Sequence, residues 1–240
     1  MRRTPLLTLI TFPAGFNEPS YSPFCSKAIY LLQMAGVEWE RKDVNDPRKS
    51  PRGQLPVLVD GSRQIPDSEA IRRYLEKEYN ADFDAGLTAA EKAVACAFTR
   101  LAENHLRQFE VYDRWLDDAN WTIIREMFFG QIPGWIRGFV TGKIRKSVHD
   151  KLVAEGVARL DKTERLEWAS RDLDAIQAWL GDKPFLFGDK PTSADASVVA
   201  VMGGIINMPA QTDLSKAINN RASLCAYTER MKTTVDPVGL

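Results

Sequence analysis

Cysteine is scarce in this chain of 240 residues: there are three, Cys25, Cys96 and Cys225. None stands in a CxxC spacing, and a sparse, odd set excludes a disulfide framework. This usage predicts a reducing, cytoplasmic setting. Histidine is scarcer still, and His105 and His149 are far apart with no acidic ligands at helical spacing, so no metal site is expected. Excess charge is missing as well. Lys plus Arg and Asp plus Glu both number 32, which gives no reason to expect a nucleic-acid partner. No apolar run reaches the roughly 18 residues of a membrane span. The start, MRRTPLLTLITF, is basic and then apolar like a leader, but the run is short and Pro5 and Pro13 bracket it. The end, MKTTVDPVGL, is expected to carry no anchor.

What is present is an ordinary globular mixture, 44% hydrophobic and 27% charged. Leu7 to Phe12 alternates and is rich in Thr and Ile, as a strand does. From Phe24 to Ala35 the period becomes helical, with Phe24, Ala28, Leu31, Leu32 and Ala35 on one face and Gly36 placed to stop the helix. Val37 to Val44 reads as a second strand. Val57-Leu58-Val59 and Gln64-Ile65 flank Asp60-Gly61, a hairpin signal, and Asp67-Ser68 opens a further helix. The order β-α-β-β-β-α within 1–80 predicts one parallel strand pair extended by antiparallel strands. Residues 81–87 read as a linker. From 88 to 240 nearly everything is helical, beginning with a long amphipathic helix from Ala89 to Leu116. Another helix runs through Leu166 to Leu180 and stops at Gly181. A capping box, Thr192 with Asp195, precedes an almost wholly apolar helix from Ala196 to Ile206.

With these motifs in order, the chain resembles the glutathione S-transferase superfamily over nearly its whole length. The resemblance rests on Ser22-Pro23-Phe24-Cys25-Ser26-Lys27, on Gly53-Gln54-Leu55-Pro56, on Asp67-Ser68 and on the Thr192–Asp195 helix start. Within the superfamily it is most similar to the metaxin-like branch that includes the failed-axon-connections proteins. The resemblance implies an α/β thioredoxin-like N-terminal domain and an all-α C-terminal domain, the glutathione S-transferase fold, in a homodimer. It implies glutathione as co-substrate and an apolar electrophile as the second substrate.

The residues carry that chemistry in parts. The resemblance makes Pro56 a cis proline and leaves the Leu55 backbone to pair with the cysteinyl part of glutathione; a plain strand-opening proline is the alternative. Asp67 and Ser68 lie at a helix start whose free N–H groups and dipole suit the γ-glutamyl carboxylate, and they also suit simple capping. Thioredoxins carry their first cysteine at the start of the first helix; here that position is Ser22. A serine hydroxyl cannot attack a disulfide, but it can donate to a glutathione thiolate. A shift of about two pKa units corresponds to about 2.7 kcal/mol, within reach of one donor plus a helix N-terminus. Ser22 is the catalytic candidate, with Ser20 and Tyr21 as rivals and a mere cap as the alternative. Cys25 is the candidate of a glutaredoxin-like reading; its place on the apolar flank favours burial. Cys96 and Cys225 read as core, and Lys27, Arg72 and Arg73 as solvated surface charges, with added positive potential near the glycyl carboxylate of glutathione as the alternative. Tyr112 and Trp115 are the candidates for an electrophile pocket between the two halves. Residues 128–146, FFGQIPGWIRGFVTGKIRK, mix glycine, aromatics and basic residues. They are expected to form a broken, flexible helix entry with a basic flank, able to move over the cleft or touch a membrane surface. A non-catalytic carrier of apolar ligands, or an adaptor, is the competing function.

Overall fold

The computed structural model describes residues 6–235. Residues 1–5 and 236–240, on which the readings of a leader and an anchor rest in part, lie outside the described residues.

Strand β1 (Leu7–Thr11) alternates as its sequence does, with Leu7, Leu9 and Thr11 buried and the residues between them half-buried. It pairs in parallel with β2 (Trp39–Asp43) and antiparallel with β3 (Val57–Asp60), which pairs antiparallel with β4 (Arg63–Pro66). The sheet order is β2-β1-β3-β4. Gly61, with φ of +57°, makes the tight β3–β4 turn that the Asp-Gly pair announces. A parallel pair needs a crossover, and helix α1 (Pro23–Met34) supplies it. Every residue from Cys25 to Leu32 is buried, because α1 is covered by the sheet on one side and by the helical half on the other. Gly36 leaves the helix at φ +63°. Helix α2 (Ser68–Tyr79) follows β4 and ends at Asn80, also left-handed.

The helical half opens at α3 (Ala89–Arg100), where Thr88 and Glu91 form a reciprocal capping box. The expected single helix to Leu116 is interrupted. Residues Leu101–Leu106 form a wider π turn before α4 (Arg107–Trp115). Within that turn Glu103 faces inward and accepts from Lys27 at 2.7 Å, which no uniform helical pattern would foretell. Helices α5 (Asp118–Phe129), α6 (Gly134–Ala154) and α7 (Lys162–Leu180) come next. The expected break within 128–146 is confined to a short turn before Gly134. Pro133 sits at the N-cap of α6, and the helix then runs unbroken for 21 residues through Gly138 and Gly142.

Helix α8 (Ser193–Ile206) is the centre of the helical half and packs on α1; α9 (Asp213–Asn219) and α10 (Ala222–Val235) close around it. All of α8 from Ser193 to Ile205 is buried. The buried Asp195 carboxylate is fully used: it accepts from Thr192 N–H and hydroxyl at 2.7 Å, Leu186 N–H at 2.9 Å and the Tyr227 hydroxyl at 2.6 Å. One apolar core runs from Leu9 and Ile29 in the sheet half to Val199 and Met202 in α8.

Lys27 corrects the sequence reading. It is not a solvated charge but is 1% exposed, between Glu103 and Glu69, the latter at 3.3 Å. Lys27→Ala would strand Glu103 and cost about 3–5 kcal/mol. Lys27→Met with Glu103→Gln is expected to recover most of that loss, because Glu69 keeps Arg72 at 2.9 Å. Urea unfolding of the two variants checks this.

Candidate functional site

The loop between β1 and α1 is held by hydrogen bonds along its length. The Tyr21 N–H reaches Pro13 O at 3.0 Å, and Arg41 holds the carbonyls of Pro19 and Phe12 at 2.8 and 3.0 Å. Ser20 is buried, and its hydroxyl donates to Phe12 O at 2.9 Å, so it serves the loop. From the helical half Arg114 donates to Tyr21 O at 2.6 Å. The chain therefore enters α1 in a fixed pose. Ser22 is the N-cap, with extended φ and ψ of −107° and 123°, and Pro23 occupies the first turn. The Ser22 hydroxyl makes no cap hydrogen bond.

Cys25 lies one turn on and is fully buried beside Leu55 and Val57. Burial pushes its thiol up, against weaker opposing hydrogen bonds from Thr11, the Phe12 backbone, Ser22 and Ser20. A thiol so shielded is a poor nucleophile. Its packing also places the first turn of α1 against the Leu55–Pro56 peptide, which is cis. Pro56 O accepts from Asp67 N–H at 3.1 Å, so the start of α2 lies alongside. The antiparallel register of Ile10 with Val57 brings all of these to one end of the sheet. Asp67, exposed and at φ +89°, caps α2 by accepting from Glu69 and Ala70 N–H at 2.8 and 3.2 Å, while Ser68 is buried.

Above Ser22 lies a cavity of about 380 Å³ walled by Phe12, Tyr21, Phe24, Trp115, Phe128 and Phe129. The Tyr21 ring packs on Phe128 with centroids 5.0 Å apart. Three charged residues of α4, Arg107, Glu110 and Arg114, also line this cavity, and the sequence reading missed them. The Arg107 guanidinium sits 5.0 Å from the Phe24 ring centroid. Glu110 is buried against Arg114 at 2.5 Å, and burial pushes its carboxyl up despite that cation. Their i, i+3, i+7 spacing was the available signal, since it puts all three on one helix face.

Trp115 and Tyr112 part company. Tyr112 lines a separate, polar cleft of about 460 Å³ with Asp113, Asp117, Lys162 and Asp213, its ring beneath the Arg165 guanidinium at 3.9 Å. Helix α4 divides the two clefts, and only the face carrying Arg107, Val111 and Trp115 meets Ser22. Tyr112, expected beside Trp115 in the electrophile pocket, therefore lies outside the Ser22 cavity, and Trp115 lies within it. Arg72 pairs with Glu69 and Glu76, and Arg73 is exposed. Cys96 is exposed and Cys225 half-buried, so neither is core as the sequence suggested.

A four-stranded sheet with α1 and α2, joined to a helical unit centred on a buried helix, is a thioredoxin-like domain plus all-helical domain: the glutathione S-transferase fold. Family comparison agrees. A model described as "Glutathione S-transferase N-terminal domain" matches residues 23–120, and "Glutathione S-transferase, C-terminal domain" matches 169–231. The chain belongs to the glutathione S-transferase family. It is 30% identical to the isoprene-epoxide glutathione S-transferase of Rhodococcus sp. (strain AD45) over 244 residues, covering 96% of this chain and 100% of that protein. It is 31% identical to Failed axon connections of Drosophila melanogaster, covering 83% of this chain and 47% of that longer protein. Among solved structures, beta-etherase LigF from Sphingobium sp. strain SYK-6 aligns with a TM-score of 0.66 at 18% identity, over 94% of each chain. Glutathione S-transferase III in its apo form aligns at 0.60 and 21% identity, over 98% of each.

Burial separates the thiols. In the folded protein Cys96 is expected to be alkylated first and Cys25 only on unfolding. Mass mapping of labelled peptides checks this, and rapid labelling of Cys25 would revive a thiol-exchange role.

Proposed function

We propose that the protein is a serine-type glutathione transferase that joins glutathione to a small apolar electrophile, an epoxide being the favoured class. The observation that carries this reading is the Ser22 hydroxyl, unused in capping, at the start of α1 and at the floor of an apolar cavity. The whole-length similarity to an isoprene-epoxide transferase supports the choice of electrophile. In this reading the glutathione backbone pairs with Leu55 beside Pro56. Its γ-glutamyl carboxylate meets Ser68 and the N–H groups of α2, and Asp67 takes the ammonium group. The thiolate rests against the Ser22 hydroxyl and the positive end of α1, which lower its pKa. Sulfur then attacks an epoxide carbon: the S–C bond forms, the C–O bond breaks, and the alkoxide takes a proton from water. The rings of Phe24, Trp115 and Phe128 exclude water from the thiolate, and Arg107 offers a cation to the developing alkoxide. Tyr21 remains a wall of the cavity in this scheme.

The wider reading retains the homodimer and the cytoplasmic site of action; three cysteines without disulfides suit the latter. A second reading is a carrier or adaptor that uses the same fold without chemistry, because a fold by itself does not secure an activity. A carrier would bind apolar ligands with equal affinity with or without glutathione.

Wild type is expected to bind glutathione and to show the ultraviolet absorbance of its thiolate at neutral pH. Ser22→Ala is expected to keep binding, lose the thiolate signal and slow epoxide turnover by about ten- to a hundredfold. Equal turnover in the variant would remove Ser22 from the chemistry.

A further inference from the structure

We propose that the outward face of α6 docks this protein on an anionic phospholipid surface. The observation is an uncovered stripe. Trp135 is 86% and Phe139 68% exposed, and Met127 on the neighbouring α5 is 45% exposed. On α6, Trp135, Gly138, Phe139, Gly142, Lys143 and Lys146 recur at intervals of three and four and are all exposed, so they form one continuous strip. Its first half is aromatic and its second half is basic. Lys143 Nζ stands 4.3 Å from the centroid of the Phe139 ring, its charge at the border between the two.

The opposite side of the same helix is held against the protein. Thr141 is buried, Arg137 holds the carbonyls of Gly130 and Ile132, and Arg145 holds those of Trp115 and Leu116. The strip is therefore not a helix face awaiting its place in the core. Covering it would gain apolar area that the fold leaves in water.

Charge selects the occupant. On α6, Arg137 pairs with Glu126, Arg145 with Asp118 and Lys146 with Asp150 at 2.6 Å, so Lys143 and Lys151 carry the basic excess of this face, in a chain whose total charge is zero. A headgroup layer of anionic lipid offers negative charge for the lysines and an apolar phase just beneath it for Trp135 and Phe139. A second copy meeting this strip about a two-fold axis would set the basic excess of α6 against itself. Nucleic acid would supply phosphates but no apolar phase for two exposed rings. Docking would be peripheral, since among the described residues no helix is long and apolar enough to cross a membrane. The inference is independent of the catalytic reading, because none of the strip residues lines the Ser22 cavity.

The test is co-sedimentation of the whole protein with vesicles of phosphatidylcholine alone and of phosphatidylcholine containing about 30% phosphatidylserine, near physiological ionic strength. Binding is expected only with phosphatidylserine present, and a Trp135→Phe variant should lose most of the fluorescence blue shift that accompanies it. Trp135→Ala with Phe139→Ala, and separately Lys143→Glu with Lys146→Glu, should each weaken binding by about tenfold or more. Glutathione-dependent turnover and urea unfolding should stay unchanged in both. The proposal is overturned if wild type binds neither vesicle or if neither double variant weakens binding. It is equally overturned if light scattering shows that the aromatic variant dissolves an oligomer instead, which would make the strip a contact between copies.

Discussion

The site depends on one buried side chain that crosses the seam between the two halves. Arg114 extends from α4 to the Tyr21 carbonyl at 2.6 Å, one residue before the cap of α1. The same guanidinium pairs with Glu110 at 2.5 Å and reaches Gly204 O at 3.4 Å. A Cβ on Gly204 would come within 2.7 Å of Glu110 Oε1, and one on Gly203 within 2.4 Å of Glu18 Oε1. The adjacent glycines are thus what lets the buried helix α8 approach two buried carboxylates. Glu18 is in turn held by Lys232 at 2.6 Å and Asn207 at 2.7 Å. Lys232 also donates to Asn17 O at 2.9 Å, so the loop that presents Ser22 is anchored to the helical half at Asn17, Glu18 and Tyr21, and the sheet alone does not fix it. Buried pairs of this kind add little net stability over an apolar equivalent, but losing one partner is expensive; their contribution here is position.

Helix α4 then decides what surrounds Ser22. Its Arg107, Val111 and Trp115 face an apolar cavity, while Tyr112 and Asp113 face a polar cleft of the same order of size. Two walls of one helix give the protein two unlike openings. The apolar one contains Ser22, whose hydroxyl makes no cap hydrogen bond, while the polar one contains Thr212, whose hydroxyl caps α9. The α5–α6 hairpin is likewise two-sided, with Phe128 and Phe129 lining the cavity and Trp135 and Phe139 turned to solvent.

Features set by neighbouring residues were legible in the sequence. The strand alternation at Leu7–Thr11, the Gly61 turn, the Asp67 and Thr192 caps and the buried α8 all follow from local pattern. The proline at 56 was placed by family resemblance, and it is cis. Features set by distant packing were not legible. Lys27 meets Glu103 across 76 positions, and Arg114 meets Tyr21 across 93, so neither pairing leaves a periodic trace. Residues 112 and 115 look equivalent as aromatics on one helix until the neighbours on each face are known. Cys96 reads as core because it stands in a helix without a His or Cys partner, yet its own position on α3 is exposed.

The most direct test is a crystal structure of the protein grown with glutathione. The account predicts the γ-glutamyl carboxylate at Ser68, the cysteinyl backbone along Leu55, and the sulfur within about 3.5 Å of the Ser22 hydroxyl. Glutathione in the polar cleft beside Tyr112, or no glutathione at saturating concentration, would contradict it.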